Sequence, residues 1–252
     1  MDLKSWILDE DKALPLLKTA FDRGVNTWDT SNNYSNGKPE EIIGKAIRHY
    51  QIPRQKLTLF TKCWAPASEH DNIFAVPFAE EMRQDKDYVN QFAIFNAVDV
   101  SLKRLGIEYI DLFQIHRFDP LTHREEEREM NRFCNEMGVG LIPWSPLEAG
   151  RLARPLSHIG VTARLENTSA SDLFDADVTI IDRVGEVAKR RNWSISHVVL
   201  AWVTWRVASP IVGFSSVERI DDALEIGNLA LTAEGEKYLE EPYVPKVVGG
   251  HD

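Results

Sequence analysis

"GVNTWDTSNNYSNGKPEEIIGKAIRHY", residues 24–50, holds a short strand, a polar turn and a helix in one run. Residues 25–30 are a candidate strand that ends near Asp29. The following loop of Asn, Ser and Gly carries one aromatic residue, Tyr34. Residues 39–50 then place Ile43, Ala46 and Ile47 at helical spacing. A strand feeding a helix through a polar loop is the repeating unit of a parallel sheet covered by helices.

The pattern extends in both directions. Residues 11–24 form an amphipathic helix with Leu14, Leu17, Ala20 and Phe21 on one face and Gly24 at the stop position. "KLTLFTKCW" (56–64) is the next strand, and residues 65–90 are a long loop with two prolines. "IFNAVDVSLKRLG" (94–106) is a helix, "YIDLFQIH" (109–116) a strand, "REEEREMNRFCNEMG" (124–138) a helix and "VGLIPWSP" (139–146) a strand. Beyond a second long loop come helices over 178–192 and 194–207, a strand "PIVGF" (210–214), and helices over 216–227 and 232–241. The chain reads as a single domain over 1–252, with 241–252 an extended tail.

Composition narrows the function. The chain has 43% hydrophobic and 27% charged residues and a net charge of -10, with a pI near 5.2. An acidic chain without a Lys/Arg block is a poor partner for nucleic acid or anionic membranes. Any phosphate-bearing ligand therefore needs a local positive site. Two cysteines, Cys63 and Cys134, show neither metal-ligand spacing nor a disulfide framework. No apolar run has signal-peptide or membrane-spanning length, so the expected location is the cytoplasm.

Polar residues at strand ends carry the functional argument. Asp29 ends its strand, Lys62 ends "LTLFTK" and His116 ends "IDLFQIH". In a barrel of parallel strands, functional groups gather at the strands' C-terminal ends. Singly, each residue has an ordinary reading as a turn cap, a solvated strand end or a backbone-bonded imidazole. An acid, a base and an imidazole delivered by three successive strands favour a site.

Several segments identify the chain as resembling an aldo-keto reductase. "GVNTWDTSNNYSNG", "LFTKCW" and "IDLFQIHRFD" are similar to that family's signature segments; "GLIPWSPLEAGRL" and "SPIVGFSSVERIDDAL" are similar to its cofactor-binding segments. "YSNG", "REEERE" and "YLEEPY" look closest to fungal aryl-alcohol-dehydrogenase-like and polyketide-pathway reductases. The resemblance implies a (β/α)8 TIM-type barrel, a catalytic tetrad of Asp29, Tyr34, Lys62 and His116, and hydride transfer from NADPH to an aldehyde or ketone. Tyr34 becomes the general acid. Lys62, held by Asp29, is expected to ease proton release from the phenol, and His116 to orient the carbonyl. Trp64 and Phe118 are candidates for an apolar substrate pocket, although packing roles serve equally well.

The implied cofactor contacts are Trp144, Ser145, Pro146, Leu147, Gly150, Arg151, Gly213, Ser215 and Arg219. Trp144 would stack on the nicotinamide; its ordinary reading is an aromatic at the barrel rim. "GVGLIP" (138–143) ends in Pro143 and precedes a strand, so it fails as a dinucleotide-binding glycine fingerprint. Ser215 and Glu218 have capping-box spacing, which predicts a helix N-terminus able to bind an anion. Arg219 would pair with the 2′-phosphate. Ala223 stands where many relatives carry an adenine-contacting Asn.

The frame departs further from the family pattern. The chain opens almost directly at its first helix, and only Pro120, Leu121, Thr122 and His123 bridge Asp119 to Arg124. About five barrel strands are legible where the fold closes with eight. Against the family pattern, the N-terminal strand and about two central strands are expected to be missing, together with the Ser-Asn and Gln groups that the resemblance implies would hold the carboxamide. Three readings stay open. One is an NADPH-dependent carbonyl reductase; another is an impaired remnant that at most binds nucleotide or a partner chain. The third is a gene model with skipped exons.

Overall fold

The computed structural model describes residues 7–63, 91–115, 134, 136–158 and 173–244. The chain divides into two compact units, Leu8–His123 and Arg124–Asp252.

In the first unit, helix α1 (Glu10–Asp22) starts where the Asp9 carboxylate accepts the Lys12 backbone N–H at 3.1 Å. This satisfies one of the donors that a helix start leaves open. Gly24, at φ +86°, turns the chain out of the helix. Strand β1 (Thr27–Asp29) leads through the polar loop to α2 (Lys38–His49), strand β2 (Thr58–Cys63), helix α3 (Gln91–Leu105) and strand β3 (Leu112–Ile115). The sheet order is β1-β2-β3, with both pairs parallel. Parallel neighbours need crossovers, and α2 and α3 supply them.

Trp28, Ile43, Ile47, Ile52, Leu57, Leu59 and Leu105 form the core between sheet and helices. Leu59, on the central strand, is only 1% exposed. Burying such a side chain contributes about 1.5–3 kcal/mol. The helices approach closely because Gly44 lacks a side chain. A Cβ there would lie 2.4 Å from the Leu105 carbonyl oxygen.

The second unit is mainly helical: α4 (Asp175–Arg191), α5 (Ile195–Thr204), α6 (Val217–Leu224) and α7 (Ala233–Glu240). Helix α5 is capped by Ser194, whose hydroxyl accepts the His197 N–H at 3.0 Å. It is apolar on nearly every side and supplies both cores of the unit. Val198 and Val199 join Val184, Val187, Ala188 and Leu239, while Leu200 and Ala201 join Ile226. Thr232 caps α7 through the Gly235 N–H at 3.1 Å.

Two expected strands contract. Among the described residues, 139–146 and 210–214 meet in a single parallel bridge, Trp144↔Ile211. The Ile211 N–H donates to the Pro143 carbonyl at 2.9 Å and the Ala208 N–H to Leu141 at 2.9 Å. Pro143 has no N–H to return, which limits the ladder. The capping-box expectation also shifts: α6 has Ser216, not Ser215, at its N-cap, in extended backbone without a side-chain cap bond. Of the helix expected over 124–138, Cys134, Glu136, Met137 and Gly138 are described, the first three helical and Gly138 a turn. The 65–90 loop and the tail beyond 244 lie outside the described residues.

Candidate active site

The parallel register sets the geometry. Asp29 pairs with Phe60, so Lys62 lies one pleat further along the same edge. The Lys62 ammonium donates to the Asp29 carboxylate and, at 2.9 Å, to the Thr30 carbonyl. The two side chains are 9% and 12% exposed. A pair this enclosed persists only when both charges are compensated, which the carboxylate and the added carbonyl do for the ammonium. Asp29 Oδ1 has no hydrogen-bond partner among the described residues.

The loop after β1 follows the neighbouring strand closely. The Thr30 N–H donates to the Phe60 carbonyl at 2.9 Å, and the Asn32 N–H to the Lys62 carbonyl at 3.1 Å. The Ser31 hydroxyl donates to the same Lys62 carbonyl at 3.2 Å. Two residues on, Tyr34 emerges 42% exposed. Its ring centre lies 5.5 Å from the Lys62 nitrogen. Ser35, Asn36 and Gly37 all adopt left-handed backbone, at φ +43°, +55° and +87°. Such a run costs energy for the two non-glycine residues and marks a conformation imposed by its surroundings.

The electrostatics correct one expectation. Burial, and then the Asp29 charge, push the Tyr34 phenol above its ordinary value, where Lys62 was expected to lower it. The physical reason is the ion pair: an ammonium already matched by a carboxylate presents little net charge to its neighbour. A phenol so placed stays protonated at neutral pH. Cys63, next to Lys62, is buried, and that burial raises its thiol against a smaller opposing effect of its own backbone. It is poorly suited to act as a nucleophile.

The structure thus brings Asp29, Lys62 and Tyr34 together. His116, Trp64 and Phe118 lie outside the described residues. In the second unit, Trp144 is 76% exposed on the bridge to Ile211. Ser145 and Gly150 adopt positive φ, and Pro146 between them is half-buried. Leu147 packs on both cores of the unit. Arg151 is buried and pairs with Glu148 at 3.3 Å. Gly213, Ser215 and Arg219 are exposed on and beside the start of α6. At that helix start the Glu218 carboxyl is held below its usual range by its own backbone and by the Ser216 side chain.

Sequence reasoning passed over Glu40, Thr61 and Arg104. Glu40 is fully buried, accepts the Thr61 hydroxyl at 2.7 Å and lies 3.4 Å from Arg104. The signal was present: Glu40, Ile43 and Ile47 share one helical face, and a carboxylate on an apolar face demands a buried partner. Among the described residues, no cluster of His, Cys, Asp and Glu could hold a metal, and no helix is long and apolar enough to cross a membrane.

Comparison with known proteins gives the family. The aldo/keto reductase family model matches residues 1–127 and again 120–243. An aldo-keto reductase of Fusarium vanettenii is 42% identical over 315 aligned positions, covering 98% of this chain and 85% of that protein. The versiconal hemiacetal acetate reductase of Aspergillus parasiticus is 34% identical, covering 97% and 90%. A putative aryl-alcohol dehydrogenase of Schizosaccharomyces pombe is 34% identical, covering 98% and 97%. The alignment of 315 positions exceeds the chain's 252 residues, so the Fusarium protein carries segments absent here. A thermostable aldo-keto reductase, Tm1743, solved with the inhibitor epalrestat, superposes with a TM-score of 0.66 at 21% identity, covering 93% of this chain and 88% of its own. The fold is that of the (β/α)8 barrel, of which the described residues form a partial sheet.

Proposed function

The chain belongs to the aldo/keto reductase family, and from that premise we propose that it reduces an aromatic or polyketide-derived aldehyde or ketone with NADPH. The observation that carries the reading is the enclosed Asp29–Lys62 pair at the strand ends with Tyr34 beside it. The names of the fungal relatives, a versiconal hemiacetal acetate reductase and an aryl-alcohol dehydrogenase among them, support the substrate class and a place in secondary metabolism.

The residues of the second unit suit a phosphorylated dinucleotide. Arg219, the Ser215 hydroxyl and the start of α6 offer donors for phosphate, and the exposed Trp144 face offers a surface for a planar ring. Glu218 opposes an anion there and would have to turn away. NADPH, when bound, supplies the hydride. Tyr34 keeps its proton at neutral pH and delivers it to the carbonyl oxygen as negative charge develops. Asp29 holds the Lys62 ammonium in place beside the Tyr34 ring. His116 completes the set by orienting the carbonyl.

NADPH binding by fluorescence, read separately from NADPH consumption with a nitrobenzaldehyde, tests this. Binding with consumption is expected; neither would overturn the reading. Binding without consumption would favour a second one, in which the chain retains nucleotide affinity alone. The 76% exposure of Trp144 is the observation on that side.

A further inference from the structure

We infer that Arg104 and Glu40 are positioning residues for Tyr34, forming a clamp that sets the loop carrying the phenol against the strand carrying Lys62. The inference rests on the reading of Tyr34 as the proton donor. Arg104 belongs to α3 and Glu40 to α2, so neither adjoins Tyr34 in sequence.

The contacts reach both sides of Tyr34. On the N-terminal side, the Arg104 guanidinium donates to the Asn32 carbonyl at 3.3 Å. On the C-terminal side, it lies against Gly37; a Cβ there would fall 2.1 Å from Nη1 and 2.2 Å from Cζ. The same guanidinium reaches Glu40 Oε2 at 3.4 Å, and Glu40 Oε1 accepts the Thr61 hydroxyl at 2.7 Å. Thr61 immediately precedes Lys62 on β2 and is fully buried, as is Glu40. One chain of bonds thus runs from the Lys62 strand, through two buried groups, to the residues flanking Tyr34.

The backbone shows why a clamp is needed. Ser35, Asn36 and Gly37 hold three successive left-handed conformations, which short polar loops do not retain unaided. The guanidinium occupies the space under that run and bonds the carbonyl that precedes it. A planar fork with several fixed donors can do both; an ammonium cannot. The buried Glu40 charge in turn keeps the guanidinium in place. Removing the clamp leaves the proton donor on a loop free to relax. A displacement of about 1 Å at a reacting group costs about 10²-fold in rate.

The test uses the full chain labelled with 3-fluorotyrosine and read by fluorine NMR, with turnover as a second readout. Tyr34→Phe assigns the Tyr34 signal. Tyr50, which packs on the core of the same unit, reports whether that unit stays folded. Arg104→Lys keeps a positive charge near Glu40 and is the milder variant. The paired change Glu40→Gln with Arg104→Met removes both charges together. In each, the Tyr34 signal should move toward its unfolded position while the Tyr50 signal stays. Turnover should fall about 10²-fold in the paired variant through kcat, with little change in the carbonyl KM. Adding Tyr34→Phe to the paired variant should cost far less than it does in the original chain. An unmoved Tyr34 signal, or losses that multiply in full, overturns the inference. If the paired variant loses the Tyr50 signal, Arg104→Lys decides alone. If the original chain binds NADPH but shows no turnover, the reductase reading fails, and the fluorine signals still decide the clamp.

Discussion

In the first unit the residues proposed for chemistry rest on buried polar groups, with Glu40 and Thr61 fully enclosed beneath a loop that follows β2 bond by bond. In the second unit Trp144, Gly213, Ser215 and Arg219 face solvent, and a single β-bridge joins the two segments that carry them. The contrast separates two ways of holding functional groups. Proton transfer needs groups placed to a fraction of an ångström, and here burial and ion pairing place them. Groups that grip a ligand can remain loose until the ligand arrives, at a cost in affinity for ordering them.

That contrast can be tested from its largest consequence to its smallest. Tyr34→Phe should lower carbonyl reduction by roughly 10²–10⁴-fold and leave NADPH binding nearly unchanged, because only the phenol's proton is removed. Steady-state rates and NADPH fluorescence check both halves. Turnover within a few-fold of the original chain would remove Tyr34 from the acid role.

Leu59→Ala probes the scaffold under the first unit and should destabilise it by about 2–5 kcal/mol, since Leu59 is enclosed on the central strand. A urea titration followed by the 3-fluorotyrosine signal of Tyr50, which packs on the same core, reads the change. A shift below about 0.5 kcal/mol would contradict the packing described, being no more than a surface substitution gives.

Arg219→Ala addresses the exposed half. It should weaken NADPH binding about tenfold and NADH binding much less, because a charged hydrogen bond to the 2′-phosphate is at stake only in the former. Equal losses for both cofactors would sink the assignment.

The smallest effect concerns pH. Burial works against the charged form of Asp111, but the Leu59 N–H and the Arg54 guanidinium, at 2.8 and 2.5 Å, outweigh it and hold the carboxyl below its ordinary value. A lowered folded value means stabilisation that is complete above the unfolded value, about pH 4. It is lost as pH falls through the lower folded one. Asp111→Asn should therefore flatten the first unit's stability below about pH 4 and leave its slope at neutral pH unchanged. Acid titration of both chains by circular dichroism compares them.

Legibility in the sequence followed the same division. The alternation of strand and helix over 11–116 was readable because each element has its own hydrophobic period, 3.6 residues around α1 and α2 and runs of apolar residues in β2. Asp29 and Lys62 were readable as strand-end residues, and their pairing is in the structure. The strands expected over 139–146 and 210–214 were less so. Apolar content marked each as a strand, but a ladder depends on backbone partners that composition does not reveal, and only the bridge Trp144↔Ile211 forms among the described residues. The cap of α6 missed by one residue, Ser216 for Ser215, because adjacent serines satisfy the same pattern and only backbone angles choose between them.

By itself, then, the sequence determined the parallel α/β class of the first unit and placed Asp29 and Lys62 at strand ends, since periodicity and strand ends are local properties. It also carried the family's motifs. The tertiary structure alone decided their electrical state and their support. Burial and then the Asp29 charge push the Tyr34 phenol up, and Glu40, Thr61 and Arg104 meet only when α2, β2 and α3 pack together. Charge compensation depends on distances between residues far apart in the chain, and those distances exist only in the folded state.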